Sequence, residues 1–219
     1  MAWQLHFLTA RGQPGPWRGA VSEAVGAVRA RVAALVEPPA LDIVVQAIPG
    51  GGIPERGHQG ASPAPGLVFV TLDPANPRLA SQMGRPFERM LAHEVNHAMR
   101  WDGPGYGETL GEALVSEGLA GRFVRQLYAD PPEPWEDAAG TGALAAGLRE
   151  ARAAWESRSY DHGRWFHGRA DLPRWLGYTL GFRIVGAWLD ARAGVTAFDA
   201  TCLPAAEFRG ALDRLSGQG

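Results

Sequence analysis

The sequence has no lysine, a single cysteine and no long apolar run. All 21 of its basic residues are arginine, which together with abundant alanine, glycine and proline is typical of a GC-rich genome and indicates nothing about function. The formal net charge is only −2 at pH 7. Composition therefore gives no electrostatic reason to expect nucleic acid or an anionic membrane as a partner.

The single cysteine, Cys202, cannot form a disulfide within the chain, and it excludes both cysteine-based zinc sites and a CxxC redox pair. The first residues lack a basic segment followed by a long apolar stretch, so we expect no secretory signal. No window of about 18 uninterrupted apolar residues is present, so we expect no membrane span. These absences predict a cytoplasmic protein; they leave its oligomeric state open.

The apolar pattern predicts strands early in the chain and helices late. Strands are predicted at residues 3–9, 41–48 and 67–72, with a helix at 20–35 and a Gly-rich loop at 50–60. Helices are then predicted at 86–101, 108–128, 143–157, 172–193 and 205–215. This order predicts an α+β fold. We expect a single domain, 1–219, with a β-containing lobe at 1–82 and a helical lobe at 83–219, and an active site between them.

The most informative motif is an HExxH pentapeptide, which reads HEVNH at residues 93–97. Residues four apart on a helix lie one above the other, so His93 and His97 can hold one metal ion. Glu94 then points to the adjoining side of that ion, where it can take a proton from a metal-bound water. The surrounding helix has a clear apolar stripe, and both histidines lie at its rim.

A third ligand is predicted on the next helix. Glu117 lies in the middle of its apolar face, and a buried carboxylate needs a cation or another strong partner. The turn between the two helices is short, so Glu117 can reach the histidines. A metal would neutralise it, although an arginine would also do so. Glu112 lies well round the helix and is a poor replacement ligand.

The sequence resembles the gluzincins, the thermolysin-like metallopeptidases in which HExxH is followed by a glutamate ligand one helix later. It is most similar to a bacterial domain-of-unknown-function family of predicted Zn-dependent proteases. The residues that carry this resemblance read HEVNH (93–97), SEGLA (116–120), WFHG (165–168) and GYTLG (177–181). The resemblance implies a zincin-like fold and one catalytic Zn²⁺ on His93, His97 and Glu117.

The implied reaction is hydrolysis of a peptide or unfolded protein, with Glu94 as the general base for a zinc-activated water. An additional donor must stabilise the oxyanion. Tyr178, in the GYTLG segment, is the first candidate, and His167 and His162 are alternatives because some gluzincins use a histidine. The resemblance also implies that the strand Leu67–Leu72 pairs with the extended substrate.

Two other interpretations remain open at the level of sequence. The chain could bind zinc on a zincin scaffold without proteolysis, as a stress-related binding or chaperone-like protein. Alternatively, HExxH could occur by chance in a helical core that holds no metal. Substrate length and cleavage preference are not encoded in any motif that we recognise.

Overall fold

The computed structural model describes residues 3–10 and 15–217, which form two compact units, Met1–Trp101 and Asp102–Gly219. The first unit combines a sheet with helices, whereas the described part of the second is helical. The α+β prediction is therefore confirmed. The HExxH helix belongs to the first unit. The single domain with lobes at 1–82 and 83–219 stays a prediction.

The sheet of the first unit contains the strands β1 (Trp3–Phe7), β2 (Leu41–Ala47), β3 (His58–Ala64) and β4 (Leu67–Leu72). Their spatial order is β1-β2-β4-β3. β2 runs parallel to both β1 and β4, and β3 runs antiparallel to β4. Alternate residues of β2 are buried, as a strand with one covered face requires.

The prediction that Leu67–Leu72 pairs with substrate is wrong. This strand, β4, lies between β2 and β3, so both of its ladders are already used within the described sheet. The edge strand on that side is β3, which falls partly in the segment predicted as a loop. Its sequence, HQGASPA, lacks the β-branched residues that usually reveal a strand. It forms because the tight Pro65-Gly66 connection folds it back onto the strongly β-forming Leu67–Leu72.

Three helices complete the first unit: α1 (Arg18–Ala33), α2 (Leu79–Gln82) and α3 (Arg85–Arg100). α3 packs on α1 and α2 and lies against β3 and β4. Most of its predicted apolar stripe is buried, and Arg89, Asn96 and Arg100 on the far side of the helix are buried as well. Periodicity marks the most apolar face of a helix; it does not show how many other faces the fold covers.

The second unit contains six helices within its described residues: α4 (Leu110–Tyr128), α5 (Thr141–Ala154), α6 (His162–His167), α7 (Leu176–Asp190), α8 (Ala197–Ala200) and α9 (Arg209–Ser216). The central pair is α4 and α7. A Cβ on Gly118 would lie 2.2 Å from the carbonyl oxygen of Gly181, and one on Gly181 would lie 2.2 Å from that of Leu114. The two glycines therefore allow the helix backbones to touch.

Helix ends differ from the predictions where the backbone departs from helical geometry. α7 begins at Leu176, four residues after its predicted start, because Pro173 precedes it and Trp175 has a left-handed φ of 69°. α6 was missed because six residues are too few for a periodic pattern. Among the helices of the described ranges, none combines the length and apolarity needed to cross a membrane.

Candidate metal centre

α3 places the two histidines of the motif side by side. Their Nε2 atoms are 3.0 Å apart, and their rings meet edge to face with centroids 4.7 Å apart. His97 is buried and His93 is half-buried. Two imidazole nitrogens directed at the same point, one turn apart on a helix, form the two-histidine part of a metal site.

Glu94 is held against the edge strand. Its side chain is buried, and it lies so close to β3 that a Cβ on Gly60 would be 2.3 Å from Glu94 Cγ. The same Cβ would be 2.7 Å from Met90 Sδ, one turn earlier on α3. Gly60 therefore gives the Glu94 side chain the space it occupies. Sequence reasoning missed this residue because it lay in a segment predicted as a glycine-rich loop.

Glu117 lies in the middle of α4 and is also buried. α4 begins with a capping box in which Thr109 and Glu112 bond each other's backbone N–H. The Glu112 carboxylate also accepts the Glu108 N–H at 2.8 Å, so this acid serves the start of the helix. Leu114 and Gly118, on either side of Glu117 in α4, form the close backbone contact with Gly181 of α7. Glu117 thus projects from a rigid backbone.

Glu117 also contacts Tyr106, a residue that was not predicted from the sequence to belong to the site. The Tyr106 hydroxyl donates a hydrogen bond of 2.8 Å to Glu117 Oε1. Burial, followed by the charge of Glu117, raises the pKa of the Tyr106 hydroxyl well above its usual value. The segment Gly105-Tyr106-Gly107, in the short turn before α4, was the available signal, because two glycines around one aromatic residue indicate a shaped loop.

The three predicted ligands lie near one another. Among the residues that the structure describes, His93, His97 and Glu117 form a group whose ligand atoms all lie within 4.8 Å of one another. Two neutral imidazoles and one carboxylate are the donor set of catalytic zinc sites such as that of thermolysin, which keep a fourth position for water. The residues present therefore fit a zinc ion.

The second unit gathers the candidate oxyanion donors into one aromatic cluster, which consists of Tyr106, Tyr160, His162, Phe166, His167 and Tyr178. His162 stacks on Phe166 with ring centroids 4.4 Å apart, and His167 meets His162 at 5.5 Å. Tyr178 packs edge to face on Phe166 at 5.1 Å. Tyr178 and the two histidines are thus joined through the ring of Phe166.

The two histidines of this cluster are held towards their neutral forms. Burial lowers the pKa of His162, and the charge of Glu117 opposes that shift. Burial also lowers the pKa of His167, with further contributions from His162 and Arg169, while Glu117 again acts in the opposite direction. The negative charge of Glu117 thus raises the pKa of both imidazoles, against the effect of burial. Arg183, elsewhere on α7, forms an ion pair with Asp137 at 2.5 Å.

A histidine pair and a glutamate within metal-binding reach, beside a buried Glu94, define a candidate metallohydrolase centre in an α+β protein. The chain belongs to the DUF2268 family, which is described as a predicted Zn-dependent protease and which matches residues 22–209. That match covers the HExxH helix, Glu117 and Tyr178, and it confirms the resemblance to a family of predicted Zn-dependent proteases. No curated protein matches the sequence.

Proposed function

We propose that this protein is a zinc-dependent peptidase of the gluzincin type. The observation that carries the proposal is the group of ligand atoms on His93, His97 and Glu117, all within 4.8 Å of one another. Family membership supports the same reaction class. The three residues would hold a single Zn²⁺. Peptides or unfolded protein segments are the proposed substrates, and a cytoplasmic location remains a prediction from the sequence.

Bound zinc would polarise the scissile carbonyl and lower the pKa of water towards neutrality. Glu94 is the proposed general base: it takes the proton from the attacking water and passes it to the leaving amine. Its support is positional, because it is adjacent to His93 on α3 and buried against β3. A carboxylate that cannot swing into solvent keeps its orientation through both proton transfers.

The developing negative charge on the substrate oxygen needs a hydrogen-bond donor besides the metal. Tyr178 remains the first candidate, because its phenol can donate whatever the state of the neighbouring histidines. His162 and His167 are the alternatives, and their lowered pKa values mean that they would donate as neutral imidazoles. Substituting each of the three separately would rank them by the loss of kcat.

We propose that an extended substrate pairs with the edge strand β3, and not with Leu67–Leu72 as the family resemblance implied. β3 is an edge strand of the described sheet, and it touches α3 at Glu94 through Gly60. Edge strands present unpaired backbone groups to which an extended peptide can add. Trp101 Nε1 donates to the Ser62 carbonyl at 3.1 Å, and Pro63 follows, so pairing would centre on the residues before Ser62.

Replacing Glu94 by glutamine tests the proposal most directly. We expect E94Q to bind zinc in the same ratio as the wild type and to lose roughly 10²–10⁴-fold in peptide hydrolysis, the usual contribution of a general base. Glu88→Gln makes the same chemical change on the same helix, at a residue paired with Arg85, and should remain active. Zinc is measured by elemental analysis of protein purified without a metal-affinity tag.

The outcomes separate the competing interpretations. A wild-type protein without stoichiometric zinc would overturn the proposal and favour a chance motif. A wild-type protein that binds zinc, but shows no hydrolysis of casein or of a peptide library, would favour the non-proteolytic binding protein. Equal activity of E94Q and the wild type would remove Glu94 from the mechanism.

A further inference from the structure

The loop between α3 and α4 is built around one side chain. It contains Gly105 and Gly107, with left-handed φ values of 67° and 91°, on either side of Tyr106. A Cβ on Gly107 would lie 2.2 Å from Glu112 Cβ, so a larger residue would collide with the side chain that caps α4. Both positions favour glycine because other residues are strained at these φ values, and at Gly107 a side chain would also lack space.

A second contact fixes the same loop to α4. Ser116 Oγ donates a hydrogen bond of 2.8 Å to the Tyr106 carbonyl oxygen. Ser116 is fully buried and immediately precedes Glu117. The backbone of Tyr106 is therefore tied to the residue next to the glutamate, while its hydroxyl reaches the glutamate itself at 2.8 Å. Two bonds at opposite ends of one residue leave the phenol little freedom.

We propose that Tyr106 is a positioning residue for the metal ligand Glu117: its hydrogen bond to Oε1 sets the rotation of the carboxylate before the metal binds. This inference rests on the proposed function. A carboxylate has about four lone-pair sites, so the bond from Tyr106 leaves capacity for an ion. Residues that orient a metal ligand through a hydrogen bond typically contribute 10–100-fold in metal affinity.

The chain offers a matched control in Tyr160. It belongs to the same aromatic cluster, where its ring lies 6.1 Å from that of His162. As for Tyr106, burial followed by the charge of Glu117 raises the pKa of its hydroxyl. Within the described residues, its contacts include no hydrogen bond to Glu117, in contrast to Tyr106. Tyr160→Phe therefore removes a hydroxyl of the same kind, from the same cluster, without removing the proposed contact.

The experiment compares the zinc affinity of the wild type, Tyr106→Phe and Tyr160→Phe by competition with a chromophoric chelator. We expect Tyr106→Phe to bind zinc roughly 10–100-fold more weakly, and Tyr160→Phe to match the wild type. The visible absorption of Co²⁺-loaded protein gives a second readout, which should change in Tyr106→Phe because the carboxylate is free to rotate. Neither readout depends on peptidase activity.

A third variant, Ser116→Ala, keeps the hydroxyls of Tyr106 and Tyr160 and removes the hydrogen bond from Ser116 Oγ to the Tyr106 carbonyl oxygen. We expect it to weaken zinc binding less than Tyr106→Phe does. Unchanged zinc affinity and Co²⁺ spectrum in Tyr106→Phe, with a wild type that binds zinc, would overturn this inference and leave the proposed function intact. Equal losses in Tyr106→Phe and Tyr160→Phe would also overturn it, because they would indicate a general effect on the cluster. A wild type that binds no zinc would overturn both.

Discussion

The two units hold their candidate site residues in place by different means. In the first, α3 lies on a β-sheet, and Glu94 is confined by a side-chain contact at Gly60. In the second, α4 meets α7 through backbone atoms at Gly118 and Gly181. A flexible side chain can move away from an added methyl group, whereas two helix backbones cannot move without disturbing everything packed around them. We therefore expect the first arrangement to affect activity when altered and the second to affect stability.

The largest expected effect comes from Gly60→Ala. The added Cβ would displace the Glu94 side chain, which it would approach to 2.3 Å at Cγ. Misplacing a catalytic group by about 1 Å can cost on the order of 100-fold in rate, so we expect a loss of that size in kcat. Zinc should remain bound, and the thermal midpoint should change little. Ala61→Ser, at the exposed next position of β3, is the control and should be active.

Gly118→Ala tests the backbone contact of the second unit. Its Cβ would lie 2.2 Å from the Gly181 carbonyl oxygen, with no flexible side chain to yield. Overpacking of this kind costs about 2–3 kcal/mol, which corresponds to a fall in Tm of roughly 5–10 °C for a chain of this size. Calorimetry of the zinc-free protein measures it. The comparison between the units fails if Gly60→Ala lowers Tm more than Gly118→Ala does.

Acid should destabilise the first unit through His58, which begins β3. His58 is 1% exposed, and its ring meets that of Phe87 edge to face with centroids 5.3 Å apart. Burial, followed by the charge of Arg56, lowers its pKa from 6.5 to about 4. The unfolded chain therefore takes up the proton first, and stability falls as pH drops from about 6.5 towards 4.

Between pH 7 and pH 5 this histidine should cost the folded state about 2 kcal/mol. Urea unfolding at the two pH values measures the loss, and His58→Leu should remove most of it. An equally steep pH dependence in His58→Leu would assign the acid sensitivity to other groups.

The smallest expected effect is that of Gly26→Ala. Gly26 lies in the middle of α1, is exposed, and has no atom within 4 Å of an added Cβ. Alanine should therefore stabilise the protein by roughly 0.5–1 kcal/mol through helix propensity alone. This variant controls for the Gly118→Ala experiment, since both place alanine in a helix. A destabilised Gly26→Ala would show that contact distances alone do not separate the two cases.

The sequence predicted the parts of the centre that depend on local periodicity. His93 and His97 could be placed on one helical face because helical spacing is a property of the chain itself. Glu117 could be predicted because an acid in the middle of an apolar helical face needs a partner. α4 begins two residues later than predicted, but this difference does not change the position of Glu117 on the buried face of the helix.

The tertiary structure decided everything that depends on which segments are neighbours in space. It made Leu67–Leu72 an interior strand and His58–Ala64 an edge strand. Strand order depends on how all the strands pair, so it cannot be predicted from the residues of one strand. It placed Gly60 against Glu94 and Tyr106 on Glu117. The sequence alone determined which side chains can bind a metal and perform proton transfer; packing determined which glycines and hydroxyls hold those side chains in place.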